Sequence, residues 1–251
     1  MKKFISKPVK TGLTIGEENM LDSLVNGLKK IKKTILLPKA IIPKIDLTKT
    51  LPDDIPIQIQ EPVCVDGNIS LLETLFIVKL IKAYNPGNIF EIGTFNGRTT
   101  LNMAANCSSQ GNVYTLDLPR ENTASTKLPT VRDDKKYIDK ALFELKYRGK
   151  DAETKIVQLY GDSATFDFSP FYNNTDFIFV DGSHSYEYAL NDSLQALKLL
   201  RNGRGIILWH DYDTPWWKGV TKALNELYMK SGEFKGLRHI EGTSMVCLIN
   251  R

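Results

Sequence analysis

Five apolar runs of this chain end in acidic side chains, two of them with an imidazole alongside. The first closes on Glu91-Ile92-Gly93-Thr94-Phe95-Asn96-Gly97, the second on Asp117 and the third on Gly161-Asp162-Ser163. The fourth closes on Asp181-Gly182-Ser183-His184 and the fifth on His210-Asp211. Scattered acids are ordinary solvated surface. Acids at the same point of successive apolar runs form a pattern. Such groups accept hydrogen bonds from hydroxyls and amines, hold cations, and exchange protons with imidazoles.

The first loop narrows the ligand. A dinucleotide loop uses Gly-x-Gly-x-x-Gly, so that backbone amides hold a pyrophosphate. Here only Gly93 and Gly97 remain, and the carboxylate of Glu91 would repel a pyrophosphate. The loop suits a cationic ligand, or one rich in hydroxyl and amino groups. Asp117 lies 26 residues after Glu91 and fits the acid that accepts ribose hydroxyls in nucleotide-binding βαβ units. Its plain alternative is an exposed helix cap. Asp162 and Ser163 either edge an adenine or cap a turn.

Asp181 and Asp211 are 30 residues apart, yet by this reading they close adjacent strands. Carboxylates side by side repel unless a cation or a proton intervenes. A hard ion such as Mg²⁺ takes oxygen ligands, and His210 is a poorer one, so metal-bound and metal-free sites both stay open. His184 reads as a general base, with helix capping or orientation of Asp181 as its alternative. Tyr212, Trp216 and Trp217 either wall a substrate or pack in the core. His239 reads as structural.

These side chains need a scaffold to converge, and the hydrophobic pattern predicts one. Ser70-Leu71-Leu72-Glu73 is a capping box opening a helix to Tyr84, stopped by Asn85-Pro86-Gly87. Strands are expected at Asn88–Ile92, Val113–Leu116, Lys155–Leu159, Asp176–Val180 and Gly205–Trp209. Helices are expected at Thr99–Ala105, Asp133–Tyr147, up to Leu200, and Trp216–Met229. The helix Asp133–Tyr147 would carry Ile138, Ala141, Leu142 and Leu145 on one side. A hairpin, Leu237–Glu241 and Ser244–Ile249, closes the chain. Strands alternating with helices imply an α/β fold, doubly wound, with a mostly parallel sheet that binds ligands beyond its carboxyl ends.

The chain has 251 residues, 42% of them hydrophobic and 25% charged, as in ordinary globular proteins. No apolar run approaches the length of a membrane helix, and no signal sequence is read at the start. Cys64, Cys107 and Cys247 form no Cys-x-x-Cys pair, so reduced thiols and a cytoplasmic location are expected. Residues 1–50 carry 11 lysines against four acids. Lys29-Lys30-Ile31-Lys32-Lys33 reads as a solvated helix face. No aromatics interleave with it, so no nucleic-acid partner is expected, and no membrane partner either. Residues 1–68 hold six of the 11 prolines and read as a basic extension, with a helix around Gly16–Ile31 and extended connections from Leu36 to Pro62.

Taken in order, Phe90–Gly97, Thr115-Leu116-Asp117, Gly161-Asp162-Ser163, Phe179–Glu187 and Trp209-His210-Asp211-Tyr212 resemble the motifs of class I S-adenosylmethionine-dependent methyltransferases. The small-molecule O-methyltransferases, including sugar O-methyltransferases and cephalosporin-hydroxylase-like proteins, are the branch they look most like. The resemblance spans residues 69–251. It implies a Rossmann-like sheet of seven strands with a terminal antiparallel hairpin. It implies S-adenosylmethionine as cofactor, held by Glu91, Gly93, Thr94, Phe95, Asn96, Gly97, Asp117, Asp162, Ser163 and Asp181. Gly93 and Gly97 would let the backbone approach the methionine part, and Glu91 would lie near its amino group. Asp181 and Asp211 would hold a magnesium ion, and His184, Asp181 and His210 would carry the chemistry. The partner would be a small-molecule hydroxyl acceptor, with residues 1–68 serving as a lid or a homodimer contact. Two other readings stay open: a metal-independent N-methyltransferase, and a module that binds the nucleoside without catalysis.

Overall fold

The computed structural model describes residues 38–140 and 144–250. The helix expected at Gly16–Ile31, and the positions Ala141 and Leu142, lie outside the described residues. Lys39–Arg251 form one compact unit.

Eight strands make a single sheet: β1 (Lys44–Ile45), β2 (Asn88–Ile92), β3 (Asn112–Asp117), β4 (Ile156–Tyr160), β5 (Phe177–Val180), β6 (Gly205–Trp209), β7 (Arg238–Ile240) and β8 (Val246–Asn250). Their order is β1-β7-β8-β6-β5-β2-β3-β4. The five strands β6-β5-β2-β3-β4 are parallel, and β8 runs antiparallel to both β6 and β7, as the terminal hairpin requires. The described helices are α1 (Leu71–Tyr84), α2 (Arg98–Asn106), α3 (Asp134–Lys140), α4 (Tyr186–Leu199) and α5 (Lys218–Lys230).

Alternation along the buried strands divides the core in two. Phe177 and Phe179 point to the layer of α1 and α2, with Ile77, Leu80 and Leu101. Ile178 and Val180 point to the layer of α4 and α5, with Ala196, Leu199 and Leu224. Both faces of β5 are therefore covered, which is why its sequence is continuously apolar. The capping box at the start of α1 is present: Glu73 N–H donates to Ser70 Oγ at 3.2 Å, and Ser70 N–H donates to Glu73 Oε2 at 2.9 Å. Asn85 ends the helix with φ of 47°.

Two expectations are corrected. The sheet has eight strands, not seven, because β1 pairs in parallel with β7 at its edge. A two-residue strand carries no alternation to read, and tertiary contacts define it. The buried hydroxyl of Tyr212 accepts the N–H groups of Ile41 and Ile42, and Asn225 Nδ2 donates to the Lys39 carbonyl. The helix expected at Asp133–Tyr147 is also shorter. α3 is described over Asp134–Lys140, and residues 144–147 are not helical, because Lys146 N–H donates to the Asn96 carbonyl and the Tyr147 ring packs beneath Gly97.

The segment before α1 is held by one face of α2. Asn102 and Asn106 stand one turn apart and each exchanges two hydrogen bonds with an extended backbone. Gln60 N–H donates to Asn102 Oδ1 and Asn102 Nδ2 returns to the Gln60 carbonyl, at 2.9 and 3.0 Å. Gln58 and Asn106 repeat the pattern at 2.8 and 2.6 Å. Arg98, one turn earlier, donates to the Glu61 carbonyl at 2.6 Å. Side-chain amides thus supply the partners that a neighbouring strand would supply. Asn102→Ala should cost about 1–3 kcal/mol, as stranded backbone groups do, and should speed hydrogen exchange at Gln60. Thermal denaturation and amide exchange check this.

Glu91 supports the first loop from inside the sheet. It is fully buried, and its Oε2 accepts the hydroxyls of Thr100 and Thr115, the latter at 2.6 Å. Burial pushes its pKa up to about 8. In the unfolded chain the same group is charged above about pH 4.3. Folding therefore takes up a proton between these values, and stability falls as pH rises through that window. Glu91→Gln should remove this fall, so the variant gains on the parent between pH 5 and pH 8 in urea denaturation. A difference independent of pH would contradict the assignment.

Candidate active site

The register sets the carboxyl ends of four strands level. Ile92 of β2 pairs with Leu116 of β3 and Val180 of β5, and Val180 pairs with Trp209 of β6. From β2 the chain runs outward to β3 on one side, and β5 takes the other side. That switch point opens a crevice above the strand ends. A cavity of about 270 Å³ occupies it, lined by Gly93, Phe95, Asp117, Asp162, Ser163, Asp181, His184, His210 and Asp211. Gly67 and Asn68, and Tyr137 and Ile138 of α3, complete its wall.

Of the first loop, Gly93 and Phe95 line the cavity, while Thr94, Asn96 and Gly97 hold the loop together. Thr94 Oγ1 meets Thr115 Oγ1 at 2.6 Å, and Asn96 Oδ1 accepts from Asn68 Nδ2 at 2.9 Å. Both glycines are also required by packing. At Gly93, with φ of 98°, a Cβ would stand 2.1 Å from the Asp181 carbonyl oxygen. At Gly97, with φ of 73°, it would stand 2.7 Å from the Tyr147 ring. Glu91 lies enclosed beneath the loop, outside the cavity wall, and burial holds it neutral.

Asp117 is where the ribose reading put it, on the cavity wall. Burial raises its pKa to about 7, and the Thr94 N–H reaches it only at 3.4 Å. Asp162 also faces the cavity, but it accepts from Tyr188 Oη and the N–H groups of Lys127 and Ala164. The turn role and the cavity role coincide in that residue.

The other end of the cavity is a cluster of carboxylates and imidazoles. His210 Nδ1 lies 3.2 Å from both Asp181 Oδ1 and Asp211 Oδ2, and its Nε2 lies 3.4 Å from Glu73 Oε2. Burial disfavours the imidazolium, but Asp181 and Asp211 outweigh it and hold the His210 pKa well above its ordinary value. Burial raises Asp181, whereas the charge of His210 keeps Asp211 low. Asp211 sits at φ of 63°, a left-handed conformation that is costly for a side chain and turns its carboxylate toward the histidines. His184 bridges two acids, with Nδ1 2.6 Å from Asp134 Oδ1 and Nε2 2.8 Å from Asp211 Oδ2. Burial lowers its pKa, yet these hydrogen bonds push it up to about 9. Trp217 stacks on the His184 ring at 3.8 Å and 18°.

The structure thus brings together Asp181, His184, His210 and Asp211, and adds two acids that the sequence reading did not assign. Glu73 was accounted for by its capping box, although its Oε1 also accepts from Ser244 N–H and Oγ. Asp134 had no signal beyond a place at a helix start. Tyr212 is fully buried in the core, Trp216 is exposed, and Trp217 alone of the three aromatics meets the site. His239 Nε2 donates to the Thr243 carbonyl at 2.8 Å, away from the cavity.

No curated protein matches the sequence. Residues 90–212, from the middle of β2 to Tyr212, match a family described as a methyltransferase domain. Among solved structures, the chain is similar to the methyltransferase PaMTH1 of Podospora anserina bound to SAH. That likeness has a TM-score of 0.52 and 18% identity, over 74% of this chain and 81% of that one. It is also similar to an O-methyltransferase from Bacillus cereus in complex with SAH, with a TM-score of 0.49 and 19% identity, over 74% and 84% of the two chains. The order of the sheet, the switch-point cavity and the family match agree: residues 90–212 match a methyltransferase domain, carried on a Rossmann-like fold that the chain shares with these structures.

Proposed function

We propose that this methyltransferase takes its methyl group from S-adenosylmethionine and delivers it to a hydroxyl of a small molecule. The observation that carries this reading is the polarity of the cavity. A half-buried carboxylate, Asp117, stands at one end, and the His184–Asp211–Asp181 cluster stands at the other. Asp117 lacks strong donors, so ribose hydroxyls would complete its hydrogen bonding. Gly93 and Phe95 would flank the methionine part, and Asp162 and Ser163 the base. The acidic end suits a positive sulfur, which supplies a methyl group on a good leaving atom.

Transfer needs an oxygen in line with that methyl and somewhere for its proton to go. His184 takes the proton at Nε2 as the oxygen–carbon bond forms and the carbon–sulfur bond breaks. The sulfur keeps the electron pair and becomes a neutral thioether. At rest Nε2 carries a proton and donates it toward Asp211, so His184 serves as a base once that proton has left. Trp217 covers one face of the ring and limits the approach of water.

Asp181, His210 and Asp211 can each bring one ligand atom within 4.8 Å of the others, a set that would hold a divalent ion. Such an ion would supply orientation and acidification of acceptor oxygens. It would replace the proton that His210 now shares with the two acids.

Calorimetry tests the cofactor. S-adenosylmethionine and S-adenosylhomocysteine should bind, NAD should not, and Asp117→Ala should weaken binding about 10- to 100-fold, as the loss of charge-assisted hydrogen bonds does. Binding of NAD alone would sink the reading. For the ion, Mn²⁺ titration of chelator-treated protein should show one site that disappears in Asp211→Asn. Equal binding by parent and variant would remove the metal from the proposal.

A further inference from the structure

We propose that Asp162 acts on the cofactor at one remove, as a positioning residue: it fastens the strap that leaves β3, residues 118–130, along the nucleoside end of the cavity. The inference deepens the cofactor reading above and rests on it.

Asp162 faces the cavity, yet both of its oxygens are engaged from within the protein. Oδ1 accepts Tyr188 Oη at 2.7 Å and Ala164 N–H at 2.9 Å. Oδ2 accepts Lys127 N–H at 2.7 Å. The three donors come from three places: Ala164 from the turn after β4, Tyr188 from α4 and Lys127 from the strap. Tyr188 is buried, and one turn further along α4 Asn191 Nδ2 donates to the Ser163 carbonyl at 3.2 Å. The helix thus grips the turn after β4 twice, and the Asp162 carboxylate passes that grip to Lys127.

The strap needs such a fastening. Its own turns close on themselves, Asn122 N–H on the Pro119 carbonyl and Ser125 N–H on the Asn122 carbonyl, and so do not tie it to the sheet. A backbone N–H on a carboxylate is a short, charge-assisted bond and one of the stronger ties available to a loop. Leu128 N–H adds a longer one to Tyr188 Oη at 3.5 Å. Leu118 and Thr130, at the two ends of the strap, line the cavity together with Asp117, Gly161 and Ser163. Fixing the strap at Lys127 therefore sets the shape of the wall where the ribose and base would lie. Coupling of this kind is reciprocal: if the fastened strap favours the nucleoside, the bound nucleoside favours the fastened strap by the same factor.

Amide hydrogen exchange on the full chain, together with calorimetry, tests this. The ligands are S-adenosylhomocysteine and 5′-methylthioadenosine, which keeps the base and ribose but lacks the amino-acid part. In the parent, S-adenosylhomocysteine should slow exchange at Lys127 about 10-fold. In Asp162→Asn the new amide must face a donor, and the Oδ2 place meets one donor where the Oδ1 place meets two. Lys127 is then released, its exchange should speed up, and both ligands should bind about 10-fold more weakly, by the same factor, because the loss lies in the part they share. Exchange at Lys127 that S-adenosylhomocysteine leaves unchanged in the parent overturns the inference, even if Asp162→Asn fails to fold. So does an Asp162→Asn variant that frees Lys127 yet binds both ligands within about twofold of the parent, or one that loses S-adenosylhomocysteine alone. A parent that keeps the Lys127 amide protected but binds neither ligand marks the other failure: it overturns the cofactor reading and takes this inference with it.

Discussion

Parallel strands deliver their carboxyl ends to one edge, and in this protein that edge is crowded with acids. Glu73, Asp134, Asp181 and Asp211 surround two imidazoles within hydrogen-bond or ion-pair distance. Like charges so close would drive the strand ends apart or force protonation. The two histidines resolve this by staying charged. His210 lies between Asp181, Asp211 and Glu73, and His184 between Asp134 and Asp211. Removing one partner from such a cluster strands the others in a poorly solvated place, which is the costly way to break buried ion pairs. The site is thus a balance of charge before any ligand enters, and a ligand bearing positive charge can take the place of a proton.

The same crowding explains the loop that faces it. The main chain after β2 passes so close to Asp181 that no side chain fits at Gly93. Gly97 yields its space to Tyr147, and Glu91 is sealed below with its proton. The features that resemble a cofactor loop are therefore packing solutions first. They bring the Gly93 and Phe95 backbone to the cavity because the neighbouring strand end leaves no other route.

The sheet edge and the segments around it show how far tertiary contacts reach. Residues 39–45 are tied down by Tyr212 and Asn225, two residues that follow β6. Residues 58–61 are tied down by three polar side chains of α2. Neither arrangement has a local signature, since the donors and acceptors are separated by more than 35 residues. Tyr212 stands beside two site residues in sequence yet belongs to the core. One further step along a left-handed turn at Asp211 sends its ring the other way.

Local sequence was enough for the elements and for most of the strand-end groups. Apolar runs of four to six residues, a capping box at Ser70 and Glu73, and turns at Asn85-Pro86-Gly87 depend on neighbours a few positions away. Asp117, Asp181, His184, His210 and Asp211 follow from them, because a strand's period and direction dictate what stands at its end. The three-dimensional fold alone decided the environment of each group. Whether Glu91 faced a ligand or a pair of threonines, and whether His184 had one carboxylate or two, turned on chains brought together from distant parts of the sequence. Burial and partner charge set protonation, and both are properties of the packed molecule.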